Sequence, residues 1–171
     1  SYPQNEQKFA SRFSIRSTPA QAINIGFIGA GSFAQSYLIP HAKSWGASLH
    51  TVFTSRGITA NNVATKFGFN HASSDSKDVT GNPAINTIFV ATPHNSHAQY
   101  VLEALKAGKH VFVEKPLAMQ DSELEEIAAY CRQQGANVMV GFNRRFAPVA
   151  VELKQAFEGI GEPLVMNYRV N

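Results

Sequence analysis

The sequence predicts an α/β fold, a doubly wound parallel sheet, and three observations predict it. Short apolar runs alternate with amphipathic segments along most of the chain, with brief connections between them. The run Ala84–Ala91 is apolar almost throughout, as strands covered on both faces of a parallel sheet are. The run Ile23–Ile28 passes at once into Gly29-Ala-Gly-Ser-Phe-Ala34, a glycine turn that opens onto an amphipathic segment.

That order of strand, glycine turn and helix is the context in which G-x-G-x-x-A reads as a dinucleotide-binding fingerprint of the Rossmann type. Gly29 permits the tight turn. Gly31 has no side chain, so a pyrophosphate can approach the backbone. Ala34 is small enough for the helix to pack on the strand. The helix N-terminus then offers free N–H groups and partial positive charge to phosphates.

Composition narrows the class. At 171 residues the chain suits one domain, or one plus a fragment, and a hydrophobic content of 44% is enough for a core. The single cysteine, Cys131, excludes an internal disulfide framework and suits a reducing, cytoplasmic compartment. No apolar run reaches membrane-spanning length, and the N-terminus lacks the apolar centre of a signal peptide. The net charge is +3, of which Lys8, Arg12 and Arg16 against Glu6 contribute +2 within residues 1–22. The basicity belongs to that leading segment, so no nucleic-acid partner is expected.

Residues 1–22 have no sustained period and read as a linker or mobile arm; Phe9, Phe13 and Ile15 also allow an arm packed on a neighbouring domain. Phe33–Trp45 is a helix bent or ended near Pro40. Ala47–Thr54 is a strand. Thr59–Phe67 is a helix capped by Thr59 and stopped by Gly68. Asp75–Asn82 is a short helix or turn. Asn95–Ala107 is a helix that Asn95 or Ser96 can cap, with Ala98, Val101, Leu102 and Leu105 on one side and Gly108 as its stop. His110–Val113 is a strand. Asp121–Gln134 is a helix with two cap candidates, Asp121 and Ser122, of which Ser122-x-x-Glu125 fits a capping box. Asn137–Phe142 is a further buried strand. Residues 23–147 make up the nucleotide domain. Val149–Phe157 is one more helix and Leu164–Val170 one more strand, so 148–171 reads as the start of a second, α+β domain missing from the chain.

Ligands of such sheets bind beyond the strand C-termini, on one edge. The candidates are therefore Gly29, Gly31, Ser32, Phe33 and Ala34; Thr54, Ser55 and Arg56; Ala91, Thr92, Pro93, His94 and Asn95; Glu114 and Lys115; and Asn143 and Arg144. In Ala91-Thr-Pro-His-Asn-Ser-His97, one histidine faces cofactor or substrate and the other caps or packs. His97 is carried forward as a catalytic candidate and His94 as a cofactor neighbour. No Cys or acidic cluster accompanies them, so no metal is expected. Lys115 is costly to desolvate at a ligand edge, and Pro116 restricts it to extended backbone. A lysine there suits general acid or base chemistry; the plain alternative is a surface pair with Glu114. Arg144 and Arg145 suit carboxylate or phosphate groups, or else lie in solvent beside a helix start. Nicotinamide enzymes that choose NAD place an acid about 20 residues past the glycines. Here the strand ends Phe53-Thr-Ser-Arg-Gly57 with no acid, and Ser55 and Arg56 could receive a 2′-phosphate. NADP is therefore favoured.

Four motifs occur in order: Gly29-Ala-Gly-Ser-Phe-Ala34, Ala91-Thr-Pro-His-Asn-Ser-His97, Gly108-Lys-His-Val-Phe-Val-Glu-Lys-Pro-Leu117 and Gly141-Phe-Asn-Arg-Arg-Phe146. Together they resemble the glucose–fructose oxidoreductase / inositol dehydrogenase / MocA family over about residues 23 to 171. Thr54-Ser-Arg-Gly57 and Lys66-Phe-Gly-Phe69 also look like the oxidoreductase half of bi-domain proteins. The resemblance implies NAD(P)-dependent hydride transfer on a sugar, polyol or nucleotide sugar. It places Lys115 by the reacting hydroxyl and the nicotinamide, and the Ala91–His97 loop along the cofactor. It also implies an Asp and a His from a second domain, so this chain alone is expected to hold cofactor without turnover. A dinucleotide-binding regulatory or structural module without turnover is the other reading. The unpaired strand at 164–170 would further invite self-association.

Overall fold

The computed structural model describes residues 22–161. The expected arm and the expected strand at 164–170, with its self-association, lie outside those residues. Six strands form one sheet: β1 (Asn24–Ile28), β2 (Ser48–Phe53), β3 (His71–Ser73), β4 (Thr87–Val90), β5 (His110–Val113) and β6 (Val138–Val140). Every neighbouring pair is parallel, in the order β3-β2-β1-β4-β5-β6. The chain therefore runs outward from β1 in one direction, crosses back to β4, and runs outward in the other. The reversal lies between β1 and β4, and it opens a crevice at their C-terminal ends.

The helices are α1 (Ile39–Ser44), α2 (Gly57–Phe67), α3 (Lys77–Thr80), α4 (His97–Lys106), α5 (Asp121–Gln134) and α6 (Pro148–Phe157). One core cluster joins β1 and β2 to α1 and α2 through Ile25, Phe27, Ile39, Val52, Val63 and Phe69. A second lies under α4 and α5 and includes Ile88, Val90, Val101, Leu105, Val111, Val113 and Ile127. Phe27, Phe89 and Phe112 stack across β1, β4 and β5, with centroids 5.0 Å and 4.8 Å apart.

Several local expectations are corrected. Of the two expectations at Pro40, an end and a bend, the helix after the glycine turn does not take the end. It passes through a π-turn, Ala34–Leu38, and continues into α1 with Pro40 in its first turn. Proline has no N–H to give the preceding turn and its ring crowds that turn's carbonyl; the wider π geometry accommodates both. Arg56, not Thr59, is the N-cap residue of α2, whereas Gly68 does end it in the left-handed region. α5 spans Asp121–Gln134 as expected, but its capping box is Gln120 with Glu123, two residues before the expected one. Strand β3 was not anticipated, because His71-Ala-Ser73 carries no apolar pattern.

The face-covering expectation also fails in part. On β4 and β5, Ile88, Val90, Val111 and Val113 are buried, but Phe89 and Phe112 are only half-buried. On β6, Met139 is exposed. These three residues share the face on which α1 and α2 cover only β1 to β3. That leaves an apolar groove of about 950 Å³ bordered by Trp45, Phe89, Phe112, Met139 and Phe142. Among the described residues strand β6 lies at the edge of the sheet and is not a buried strand.

Candidate functional site

The strand ends are held together one residue past the sheet. Gly29 N–H donates to Phe53 O at 2.9 Å and Ala91 N–H to Ile28 O at 2.8 Å; Glu114 N–H donates to Val90 O at 2.9 Å and Gly141 N–H to Val113 O at 2.8 Å. Four expected loops, those after β1, β4, β5 and β6, are thus tied into one edge. Thr54 N–H extends it to Ser73 O at 3.2 Å.

The two turn glycines differ in what they need. Gly29 has φ of +90°, and a Cβ there would stand 2.5 Å from Ala91 O. Both the backbone and the neighbouring loop exclude a side chain. At Gly31 a Cβ would meet nothing within 4 Å, and φ is not in the left-handed region. The protein itself has no use for a glycine there. A ligand lying against the backbone does. Ala34, 1% exposed, packs the helix on the sheet, and Gln35 Nε2 donates to Ala30 O at 2.9 Å, which fixes the turn. Ser32 and Phe33 are exposed beside it, with Phe33 tilted against Tyr37 at 5.2 Å. These residues fit a dinucleotide pyrophosphate.

At the end of β2, Thr54 Oγ1 donates to Arg56 O at 2.7 Å. This fixes the turn into α2 and leaves Ser55 and Arg56 exposed at its N-terminus. At the end of β4, Ala91 and Thr92 are half-buried, and Pro93, His94 and Asn95 are exposed in a short 3₁₀ turn. Ser96 precedes α4 but caps no backbone N–H. Its hydroxyl donates to Pro93 O at 2.8 Å and lies 2.8 Å from the Thr92 hydroxyl, which can donate to it.

His97 is 0% exposed. Nδ1 lies 2.7 Å from Pro116 O and Nε2 2.8 Å from Thr92 O. A ring so enclosed does not reach the open edge, so direct contact with reacting groups, the role expected of His97, does not fit its place. His94, the exposed partner at 5.7 Å, is the histidine that faces the edge.

Glu114 is half-buried and Lys115 exposed at the edge. The peptide bond from Lys115 to Pro116 is cis. Glu114 borders the apolar groove with Phe33, Asn143 and Phe146. The surface pair between neighbours is absent; among the described residues the ion pair is Lys106–Glu126 at 3.5 Å. Glu114 can lie over the sheet edge because Gly141 leaves it room: a Cβ on Gly141 would be 2.7 Å from Glu114 Oε1 and 3.0 Å from Phe112 Cζ. Gly141 belongs to the fourth motif but not to the candidates that the sequence offers. Its signal was a glycine directly after an apolar strand, the same position that Gly29 holds after β1.

Beyond β6, Asn143–Phe146 forms a 3₁₀ turn. Asn143 borders the groove, Arg144 is exposed, and the Arg145 guanidinium lies 5.4 Å over the Phe142 ring. Among the described residues no group of three or more His, Cys, Asp or Glu side chains could hold a metal, and no helix is long and apolar enough to cross a membrane.

Known proteins resemble this chain. "Uncharacterized oxidoreductase YrbE" from Bacillus subtilis is 33% identical over 145 residues, which are 81% of this chain and 41% of that protein. The B. subtilis scyllo-inositol 2-dehydrogenase (NAD(+)) is 32% identical over 107 residues, 61% of this chain and 31% of that protein. A structure of levoglucosan dehydrogenase in complex with NADH and levoglucosan superposes with a TM-score of 0.73 at 28% identity; it covers 81% of this chain and 40% of that one. The chain thus spans about two fifths of the length of the first-ranked relatives it matches. The model of the oxidoreductase family with an NAD-binding Rossmann fold, GFO_IDH_MocA, matches residues 23–142. With its parallel sheet, its glycine turn and its lysine edge, this chain belongs to that family and contains its NAD-binding domain.

Proposed function

We propose that residues 23–147 hold NAD(P) across the crevice between β1 and β4, and that Lys115 handles the proton of a sugar or polyol hydroxyl as its carbon exchanges a hydride. The observation that carries this reading is Gly31. It is a glycine that neither the backbone nor the packing requires, at the mouth of a turn fixed by Gly29. Backbone N–H groups at the start of the Ala34–Ser44 helical stretch would receive the pyrophosphate. The loop Ala91–Asn95 would border the nicotinamide, with Glu114, Asn143 and Arg144 completing the pocket around it. A bound nicotinamide supplies a ring carbon that takes or gives a hydride. Lys115 is the catalytic residue in this reading. Its Nζ takes the hydroxyl proton on oxidation and returns it on reduction, from a position at the same edge.

NADP is the preferred form in this reading. Among residues 53–57 there is no acid to accept bonds from a 2′-hydroxyl, and Ser55 and Arg56 stand exposed at the N-terminus of α2, where phosphate is favoured. The substrate class follows from the relatives, which include an inositol dehydrogenase and a levoglucosan dehydrogenase. Residues 148–171 would begin the domain that holds substrate. The single cysteine supports a reducing, cytoplasmic setting.

The test has two arms. Titration of this chain with NAD⁺ and NADP⁺ should show binding that Gly31→Val removes. The complete gene product should reduce dinucleotide with some member of a panel of sugars and inositols, and Lys115→Met should abolish that rate. Binding by the folded chain with no turnover by the complete product would favour a regulatory module instead. No binding at all would overturn both.

A further inference from the structure

Among the described residues His97 is the one titratable side chain that is buried, and it sits between two loops of the site. The segment that carries Lys115, residues 114–120, has no regular structure. Its ends are fixed. Glu114 N–H donates to Val90 O, and the N–H groups of Met119 and Gln120 donate to Glu123 Oε2 at 2.9 Å and 3.1 Å. Between those ends, residues 115–118 have one hydrogen-bond contact among the described residues, that of Pro116 O with His97 Nδ1. The other ring nitrogen faces Thr92 O, in the loop that follows β4.

Both partners are carbonyl oxygens, which only accept, so the ring must be the donor. A neutral ring carries one N–H and serves one carbonyl at a time; a ring with both protons serves both. In either form the imidazole fills the space between Thr92 and Pro116 and sets their separation. A buried carbonyl left without a donor is costly, so the ring is held there as firmly as it holds them.

We propose that His97 is a positioning residue for Lys115. Through Pro116 O it fixes the main chain next to the lysine against the Ala91–Asn95 loop, so that lysine and cofactor border move as one unit. This rests on the reading of Lys115 given above. It replaces the direct catalytic role expected of His97 by one exerted through the backbone.

Three substitutions separate the two bonds. Asparagine places its amide N–H near the Nδ1 position, facing Pro116; glutamine places it near Nε2, facing Thr92; leucine keeps neither. The first readout needs no activity: the NMR signal of ¹³C-dimethylated Lys115 in this chain, identified by its loss in Lys115→Arg. His97→Leu should shift or broaden that signal while those of Lys43 and Lys66 stay put. His97→Asn should restore it and His97→Gln should not. In the complete gene product, His97→Leu should lower kcat roughly tenfold to a hundredfold, the scale of a small misplacement of a reacting group, with dinucleotide Kd within about twofold. His97→Asn should recover most of that loss.

An unchanged Lys115 signal in folded His97→Leu overturns the proposal. If the leucine variant does not fold, the Asn and Gln variants decide, and identical Lys115 signals in those two overturn it equally. Full kcat in Lys115→Met would instead refute the role of Lys115, while the NMR comparison would still report whether His97 positions it.

Discussion

Gly141 lies directly beneath the carboxylate of Glu114, with a Cβ at Gly141 falling 2.7 Å from Oε1. The two residues come from the ends of adjacent strands β5 and β6, and one has no side chain so that the other can lie flat across the edge. Gly141→Ala should therefore displace Glu114, whose flexible end can swing aside, and press on Phe112, at a cost of about 1 kcal/mol, the low end of the range for overpacking. Glu114→Ala in the same chain should relieve part of that cost. A double-mutant cycle by urea denaturation checks it, with a coupling above about 0.5 kcal/mol expected.

The two fingerprint glycines should respond in opposite ways. Gly29→Ala strains a left-handed backbone and strikes Ala91 O, so it should lower stability by at least about 2 kcal/mol. A Cβ at Gly31 meets no protein atom within 4 Å, so Gly31→Val should leave the thermal midpoint nearly unchanged. It should weaken dinucleotide binding by roughly tenfold or more, about 1.4 kcal/mol per decade. Calorimetric titration beside thermal melts separates the two effects.

Arg56→Ala should reduce affinity for NADP⁺ more than for NAD⁺, and the difference should shrink at high salt, as for an exposed charge contact. Equal losses for both dinucleotides would leave the 2′-phosphate without its partner here.

Stability should fall on mild acidification through His50. Burial, and then the positive charge of neighbouring His71, push the His50 pKa below its ordinary 6.5. The rings are 5.1 Å apart, and His50 Nδ1 shares a hydrogen bond with Thr51 Oγ1 at 2.8 Å. Between the lowered value and 6.5 the unfolded chain binds a proton that the folded chain refuses. The contribution is whole above pH 6.5 and is lost as pH falls through the folded-state value. Urea midpoints measured from pH 7.5 downward should drop, and drop less in His50→Gln.

Much of this site was written locally and could be read so. Gly29, Gly31 and Ala34 act within six residues, and each has a steric reason visible from its neighbours in sequence. The alternation that gave β1, β2, β4 and β5 is likewise local. What could not be read depends on distance along the chain. His97 looks like an edge histidine until Pro116, 19 residues on, folds over it. Phe89 and Phe112 look like buried strand residues, and only the order of strands shows that α1 and α2 stop short of covering them. The Gln120–Glu123 box escaped because a serine two residues later offered the more familiar cap. Strand β3 pairs through its backbone with Thr51, Val52 and Phe53, and a backbone partner leaves no trace in side-chain pattern.

The amide bonds that run past the ends of the strands have a consequence for timing. Gly29, Ala91, Glu114 and Gly141 begin the loops that carry the chemistry, yet their N–H groups are engaged as ladder donors. Loop amides ordinarily trade their hydrogens with solvent quickly, whereas these four open only when the sheet itself opens. In deuterated water they should retain protium about as long as the amides of Phe27 and Val90. The edge would then keep its shape between encounters with ligand, and dinucleotide would meet a surface already set.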